Sequence, residues 1–416
     1  MTPRSRNRDL IFKALCIMPY SSEDLLRCLV PLKLVIIGEN PGPEHHAIRT
    51  AIHRAFHGGH YSADSSEAYF AAGEDLGVSV LEADLANGPD LAKQIIANAR
   101  ASALHTLVVA VIHDIPTEGF RELLDQLDRA AQDDVAGEQH PLILLPILLQ
   151  ERAWQGETQG LNYLMLDEYP LRPAYAAANA LALAWRILGT EADRLSLFIS
   201  HAKLDGLPLA NSIRHQLEKL YGLEHFYDAQ HIPPGSNWKR VLRNGVERSV
   251  VVALRTNVYE ERFWCVQEMD WAEDFGCPIV VVEARTHLVR AREFLPIGGS
   301  PCVHVPDGNL IRILQSALRE ALRVRLFVRQ VQALDAIGAI AAGSTLRVPR
   351  TSLATLGLRC QWQIQAGQAP EHVFVPETFR EPHRKVAERL VKCYFPPAWI
   401  GTPQMFIQQI IAAATP

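Results

Sequence analysis

The sequence predicts an α/β protein of more than one domain, in which parallel sheets are covered by helices. Short apolar runs of β-type composition alternate with longer segments whose apolar residues recur every three or four positions, a pattern typical of strands joined by crossover helices. The chain has 416 residues, whereas a single domain typically has about 100–200. Two or three domains are therefore expected, each large enough to bury a core of its own.

Residues 1–190 are predicted to form a Rossmann-like domain. Each apolar run is followed by a helical pattern, so successive strands run parallel and the helices lie on the faces of the sheet. The predicted strands are 34–37, 78–81, 106–112 and 142–149. The predicted helices are 44–56, 90–101, 118–131 and the alanine-rich segment 173–188.

A second series of the same kind starts at Arg194, soon after the turn signal of Gly189 and Thr190. The predicted strands are 195–199, 225–227, 249–254 and 278–283, and the predicted helices are 207–220, 238–248, 263–275 and 309–327. We assign residues 194–330 to this second domain. Ligands of open parallel sheets bind beyond the carboxyl ends of the strands, so residues at those ends are the first candidates for a site.

The remaining residues, 331–416, differ in composition and are predicted to form a small α/β unit. An Ala/Gly-rich stretch at 333–343 precedes two strand-like segments, 345–348 and 372–375, and a helix at 382–392. Nothing in this unit indicates a function.

Charge and hydropathy exclude several classes of protein. The formal net charge is −5, and the acidic excess falls in residues 1–193, where a nucleic-acid-binding domain would be basic. The longest apolar run, 141–149, is about half the length of a bilayer-spanning helix. The seven cysteines include no CxxC pair, so reduced thiols in cores are expected. We predict a cytoplasmic protein that binds neither a membrane nor long nucleic acid.

Three motifs follow one another in the second domain. The first is Phe-Ile-Ser-His at 198–201, with Asp205 soon after it. The second is Phe-Tyr-Asp at 226–228, which leads into Ile-Pro-Pro-Gly at 232–235. The third is Phe-Trp-Cys-Val-Gln-Glu at 263–268. In this order the motifs resemble those of the Toll/interleukin-1 receptor (TIR) domain family.

The resemblance implies a flavodoxin-like fold, with helices on both faces of a parallel sheet. It also implies that Glu268, the last residue of a W-C-x-x-E signature, enables the domain to split NAD+ into nicotinamide and ADP-ribose or a cyclised isomer. NAD+ is then a substrate, and neither a further cofactor nor a metal is implied. Bacterial relatives of this kind act in defence against phage. The resemblance further implies activation by self-association, which moves the loop containing Asp228 and Gly235.

Glu268 and Trp264 suit this chemistry on physical grounds. They lie four positions apart in a predicted helix and so share a face. Cleavage of the bond to the cationic nicotinamide ring releases neutral nicotinamide and leaves an oxocarbenium-like sugar, as in glycoside hydrolysis. The carboxylate of Glu268 would stabilise the developing positive charge. The indole of Trp264 would provide a flat apolar wall for nicotinamide or ribose. Burial in the core is the alternative role for Trp264.

The other predicted substrate-binding residues come from the first two motifs. Phe198, Ser200 and His201 lie at the carboxyl end of a predicted strand, where backbone N–H groups near a helix start favour phosphate. Asp228 opens the loop over the cleft, and Gly235 provides a permissive backbone position beside two prolines. Purely structural roles remain the alternatives for His201 and Asp228.

Two other functions remain open for the chain. One is a non-enzymatic TIR scaffold for protein–protein signalling, and the other is a nucleoside- or nucleotide-processing enzyme of related fold. The N-terminal domain is interpreted as a sensor or assembly module that binds a small nucleotide signal or a partner protein. Its histidine-rich run, 45–60, has spacings that suit a metal but fits ordinary surface or core histidines better. The turn at 38–42 is not a dinucleotide-binding fingerprint.

Overall fold

In the computed structural model of the chain, three parallel sheets are covered by helices. Pro31–Arg325 form one compact unit, and Met1–Val30 with Leu326–Pro416 form a second. The structure describes residues 25, 28–29, 31–39, 42–57, 76, 78–84, 88–102, 105–135, 142–150, 163–166, 171–189, 195–217, 223–226, 237–286, 300–304, 310–341, 343–350, 352–377 and 381–414.

The first sheet of the large unit consists of five parallel strands. They are β1 Leu32–Gly38, β2 Ser79–Asp84, β3 His105–Ile112, β4 Leu142–Leu148 and β5 Leu164–Met165. The helices of this part are α1 Pro43–His57, α2 Gly88–Ser102, α3 Glu118–Val135 and α4 Arg172–Ile187. The strand order is β2-β1-β3-β4-β5. All residues of the central strand β3 except the first are buried, as expected of a strand with helices on both faces.

The second sheet of the large unit has the same strand order. Its strands are β6 Leu195–His201, β7 Leu223–Phe226, β8 Ser249–Arg255, β9 Ile279–Glu283 and β10 Cys302–His304. Its helices are α5 Leu207–Leu217, α6 Trp238–Glu247, a 3₁₀ helix Tyr259–Glu261, α7 Phe263–Phe275 and α8 Ile311–Ala336. The order is β10-β9-β8-β6-β7, which, read from β7, is the flavodoxin-like order of second, first, third, fourth and fifth strand. The predicted α/β class with parallel sheets is confirmed.

One face of the second sheet packs against α6 and α7, and α7 carries the third sequence motif. Successive residues of a strand point to opposite faces, and Phe198, Val251 and Ala253 share one of these faces. They belong to a buried cluster with Leu242 of α6 and Met269 of α7. The position of α7 is therefore set by the core of the second sheet.

The small unit contains a three-stranded parallel sheet. Its elements are β11 Thr345–Arg347, α9 Leu353–Gln365, β12 His372–Phe374, α10 Glu381–Tyr394, β13 Trp399–Gly401 and α11 Pro403–Ala414. The strand order is β11-β12-β13. Val373 packs in a cluster with residues of α9 and α10, whereas the next residue, Phe374, packs with Phe327 of α8 and Phe406 of α11. This alternation is that of a strand buried on both faces.

One element of the small unit, helix α8, differs in length from the sequence-based prediction. Helix α8 continues to Ala336, beyond its predicted end at 327, because Val331 and Leu334 are buried in the core of this unit. Leu25 and Cys28, which we assigned to the Rossmann-like domain, lie in the same buried cluster. The division into domains at 190, 194 and 330 stays a prediction.

Several elements of both units were not predicted, namely β5, β10, α9, β13 and α11.

The described cysteines are free thiols with different degrees of burial. The buried ones are Cys28, Cys265, Cys277 and Cys360. Cys302 is half-buried and Cys393 is exposed, so the prediction that the thiols lie in cores is wrong for Cys393. Cys16 falls outside the described residues. Over the part of the chain that the structure describes, no helix combines the length and the apolar character needed to cross a bilayer.

Candidate active site

The candidate site lies at the carboxyl edge of the second sheet, between β6 and β8. The two strands are hydrogen-bonded neighbours, with β7 beyond β6 and β9 beyond β8. The chain therefore leaves them toward opposite sides of the sheet, and such a switch point leaves a crevice outside the strand ends. Ser200 and His201 end β6, and the 3₁₀ helix that contains Tyr259 follows β8.

Glu268 is buried at this edge and accepts a hydrogen bond from Ser200. Its exposed fraction is 7%, and Ser200 Oγ donates to its Oε2 over 2.6 Å. The hydroxyl of Tyr259 lies 2.6 Å from the same Oγ atom. A chain of three buried side chains thus joins β6, the 3₁₀ helix and α7.

The protons of this chain have one consistent arrangement when Glu268 is ionised. Burial raises the pKa of Tyr259 well above its ordinary value, and electrostatic interactions with Cys265 and Glu268 raise it further. The phenol therefore keeps its proton at neutral pH. Because an ionised carboxylate only accepts hydrogen bonds, Ser200 gives its single proton to Glu268, and its oxygen accepts the proton of Tyr259.

Asp205 holds the backbone that leads from β8 to Tyr259. Its Oδ1 accepts a hydrogen bond from Thr256 Oγ1 over 2.6 Å, and its Oδ2 accepts from the backbone N–H of Val258 over 3.3 Å. Since Asp205 lies just after β6, this side chain ties the ends of the two central strands together.

A buried ion-pair network fixes the other side of the same turn. Arg255, the last residue of β8, is 5% exposed and donates through Nε to Glu260 Oε1 over 2.6 Å. Its Nη1 lies 3.5 Å from Glu283 Oε2, and the guanidinium of Arg285 forms two hydrogen bonds with the same carboxylate. These charges are paired within the protein, which offsets the cost of burying them. The network holds the carboxyl ends of β8 and β9 and the 3₁₀ helix as one piece.

Helix α7 carries both Trp264 and Glu268 and ends at a glycine. Gly276 has a φ of 67°, in the left-handed region where glycine is favoured. The N–H of Gly276 donates to Glu273 O over 3.0 Å, and that of Cys277 donates to Ala272 O over 2.9 Å. These bonds satisfy the last carbonyl groups of the helix, so the local sequence defines where α7 stops.

Trp264 belongs to a cluster of three aromatic residues near the start of α7. Its ring contacts that of Trp238 edge-on with centroids 4.0 Å apart, and that of Phe263 with centroids 4.9 Å apart. Trp264 is half-buried and also packs on the core of the second sheet, whereas Trp238 and Phe263 are exposed. The side chain therefore combines a core contact with a place in a surface aromatic cluster.

The structure places the other predicted site residues in different surroundings. Phe198 is 1% exposed and lies within the core cluster, so its contacts are those of a packing residue. His201 is buried, and its Nδ1 lies 3.1 Å from Ile199 O. As the residue after Ser200 in a strand, it points to the opposite face of the sheet. Asp228 and Gly235 lie outside the described residues.

Tyr259 and the Arg255 network were missed by the sequence reasoning. The available signal was weak, because Tyr259 is a single aromatic residue a few positions after an apolar strand. Its hydrogen bond to Ser200 spans 59 positions of sequence. Periodicity reports only local neighbours and cannot reveal such a contact.

A comparison with protein families identifies this region. A sequence model of the TIR domain family matches residues 197–294. The chain contains a TIR domain. The matched residues include Ser200, Tyr259 and Glu268, so the hydrogen-bonded chain lies wholly within the TIR domain. The predicted resemblance to the TIR family is confirmed.

No curated protein matches the chain. Among solved structures, it is similar to the C-terminal domain of glucosamine-fructose-6-phosphate aminotransferase from Francisella tularensis. The two share 10% identity with a TM-score of 0.20, and the match covers 78% of this chain and 93% of that chain. It is similar to tagatose-6-phosphate ketose/aldose isomerase from Escherichia coli, with 12% identity, a TM-score of 0.17 and coverage of 78% and 90%. Such low TM-scores carry no structural or functional argument.

A polar cluster lies at the equivalent edge of the first sheet. Glu39, just after β1, accepts a hydrogen bond from the backbone N–H of Thr117 over 3.0 Å. Glu44 forms ion pairs with Arg172 and with His113 if the imidazole is protonated. The two glutamates are thus engaged by donors of the protein itself.

The described histidines of the N-terminal run lie on α1. His45 is buried beside Gly38, and the rings of His53 and His57 lie 4.5 Å apart. His60 falls outside the described residues. In the described part of the chain, no group of three or more His, Cys, Asp or Glu side chains is arranged to hold a metal ion.

Proposed function

We propose that the TIR domain cleaves NAD+ at the bond between nicotinamide and ribose, with Glu268 as the catalytic carboxylate. The single observation that carries this proposal is the placement of Glu268 in the W-C-x-x-E signature. It is buried at the switch point of the sheet and accepts a 2.6 Å hydrogen bond from Ser200. A carboxylate held in this way at a strand-end crevice is suited to meet a ligand.

For this reaction the protein needs to position the substrate and to place a negative charge beside the ribose. The C–N bond breaks with its electron pair staying on nicotinamide, which leaves as a neutral molecule and needs no general acid. The ribose becomes an oxocarbenium-like cation, and the negative charge of Glu268 stabilises it. Water then adds to the cationic carbon and loses a proton, giving ADP-ribose, or a nucleophile within the same molecule closes a cyclic isomer.

Three further residues complete the proposed substrate site. Trp264, at the head of the same helix, would offer its half-buried indole to nicotinamide or ribose. Asp228 and Gly235 would belong to the loop over the cleft. Ser200 acts on Glu268 in this proposal, since its hydroxyl is already engaged there.

We further propose that self-association of the TIR domains switches this activity on, and that the N-terminal sheet senses a small nucleotide or a partner protein. Direct contacts within the large unit support such a link. Gln315 Nε2 of α8 donates to Ala174 O of α4 over 2.8 Å, and the guanidinium of Arg325 lies 4.0 Å from the ring centroid of Trp185. A cytoplasmic role in defence against phage fits conditional activity, since NAD+ loss harms the host cell.

A scaffold without catalytic activity is the second candidate function. The exposed rings of Trp238 and Phe263 favour it, since aromatic residues are enriched at protein interfaces. In this alternative the TIR domain recruits partner proteins and Glu268 has only a structural role.

Nicotinamide release from NAD+ by the purified full-length protein tests the proposal. It is measured by chromatography over a series of protein concentrations, for the wild type and for Glu268→Gln. The matched control is Asp270→Asn, which makes the same acid-to-amide change at an exposed position of α7. We expect release that is lost in Glu268→Gln and retained in Asp270→Asn. Release that survives Glu268→Gln contradicts the assignment, and no release at any concentration, with crowding agents included, favours the scaffold.

A further inference from the structure

We propose that Tyr259 is a positioning residue for the catalytic carboxylate: its hydroxyl orients Ser200, and Ser200 in turn holds the carboxylate of Glu268 in one orientation. This inference rests on the proposed function of Glu268 and assigns a role to a residue that the motifs did not single out. Tyr259 acts only through Ser200 and does not touch the substrate.

The geometry supports a relay of two strong hydrogen bonds. Both oxygen–oxygen distances, from Tyr259 to Ser200 and from Ser200 to Glu268, are 2.6 Å, at the short end of the range for O–H donors. The exposed fractions of the three residues are 0%, 1% and 7% in the same order. With water largely excluded, one hydrogen bond polarises the next and strengthens it.

The direction of the relay follows from what each group can donate. An ionised Glu268 has no proton to give, and Tyr259 keeps its own because burial raises its pKa. Ser200 has one proton, which it gives to Glu268. The hydrogen bond that its oxygen accepts from Tyr259 favours the orientation in which this proton points to the carboxylate.

The fold holds the phenol in place from both sides. Asp205 accepts a hydrogen bond from Val258 N, directly before Tyr259. Arg255 forms an ion pair with Glu260, directly after it. The ring itself is buried in the core cluster of the second sheet. The hydroxyl thus has a defined position before any ligand binds, as a preorganised site requires.

The groups that act electrostatically on Tyr259 lie on the 3₁₀ helix and on α7. On the 3₁₀ helix, Glu260 acts on Tyr259, and on α7, Cys265 and Glu268 do so. On β6, Ser200 contributes a neutral hydroxyl, while His201 points to the other face. A hydrogen bond donated to an ionised carboxylate lowers its pKa. Weakening the relay therefore raises the pKa of Glu268 and moves the acid limb of the activity profile to higher pH.

The test compares Tyr259→Phe and Ser200→Ala with the wild type. The matched control is Tyr175→Phe, because Tyr175 is also a buried tyrosine whose hydroxyl donates to a side chain, that of Gln216. Loss of the direct bond in Ser200→Ala should lower kcat about ten- to a hundred-fold. Loss of its polarising partner in Tyr259→Phe should lower kcat about two- to five-fold, with KM nearly unchanged. The acid limb of kcat/KM should move to higher pH by a few tenths of a pH unit, and the control should match the wild type.

A double variant separates positioning from a general loss of packing. If Tyr259 acts through Ser200, adding Tyr259→Phe to Ser200→Ala should change kcat little further. If its role is structural, the two losses should multiply, because independent sites are additive in free energy. A multiplied loss, or an unchanged acid limb in Tyr259→Phe, overturns the proposal.

A titration that does not depend on turnover distinguishes this proposal from the proposed function. The pKa of the Glu268 carboxyl is measured by NMR on protein with ¹³C-labelled glutamate, and the signal is assigned with Glu268→Gln. We expect Tyr259→Phe and Ser200→Ala to raise this pKa, and Tyr175→Phe to leave it unchanged. A protein that releases no nicotinamide but shows these changes refutes the enzymatic function alone. An active protein in which Tyr259→Phe leaves the carboxyl pKa unchanged refutes the relay alone.

Discussion

Gly38 ends β1 directly beneath a buried imidazole, and this contact leads to a quantitative prediction. A Cβ atom on Gly38 would lie 1.7 Å from His45 Nε2 and 2.7 Å from both His45 Cδ2 and His45 Cε1. His45 is itself 1% exposed, so its ring has no solvent-filled space to move into. Gly38→Ala therefore forces α1 or the end of β1 to shift.

The expected cost is that of overpacking a core, about 1–3 kcal/mol. For a unit as large as Pro31–Arg325, this lowers the midpoint of thermal unfolding by roughly 2–10 °C. Differential scanning calorimetry of the full-length protein measures the change. Gly42→Ala is the matched control, because a Cβ there would meet nothing within 4 Å.

A second variant tests the cause of the effect. Truncation of the ring in Gly38→Ala/His45→Ala removes the overlap, so the double variant should be less destabilised than the sum of the two single changes. If Gly38→Ala melts at the same temperature as Gly42→Ala, the reasoning about the packing of α1 on β1 is refuted.

Two further predictions concern backbone geometry and pH. Gly276→Ala, at a φ of 67°, should destabilise the TIR domain by about 1 kcal/mol. Gly357→Ala should stabilise α9 by up to about 1 kcal/mol, because the new Cβ would meet Leu390 at an ordinary distance of 3.8 Å. Urea unfolding measures both changes in stability. Burial lowers the pKa of His372, and the charge of Glu371 partly opposes this shift. The unfolded chain therefore binds the proton more tightly than the folded protein does. The free energy of unfolding should consequently fall as the pH drops below about 6.5. His372→Gln should weaken this pH dependence, measured as the melting temperature at several pH values. An unchanged dependence would contradict its assignment to His372.

Much of the TIR domain was predictable because its signals are local. The strand predicted at 249–254 and the helix predicted at 263–275 agree with β8 and α7 to within a residue, since the first is a continuous apolar run and the second is bounded by Gly276. The signature around Glu268 lies within one helix. These features depend on neighbouring residues only, so a single sequence displays them.

The errors have a common physical origin in distant contacts. Helix α8 continues past its predicted end because Phe327 and Val331 meet partners on β12 and α11, which are remote in sequence. Short strands such as β13 lack enough residues to show a period and form because a neighbouring strand satisfies their backbone groups. The hydrogen bond from Ser200 to Glu268 also joins distant residues and was not predicted, while the role of Ser200 in substrate binding stays a prediction.

The amino-acid sequence by itself determined the parallel α/β class, the order of the motifs and the glutamate that belongs to the TIR signature. Only the tertiary structure decided that β6 and β8 lie side by side with the switch point between them, and that Tyr259, Ser200 and Glu268 form one buried chain. The reason is that strand pairing brings together residues separated by dozens of positions. Hydrogen bonds of this kind acquire their strength from the water-excluding core that the whole sheet creates.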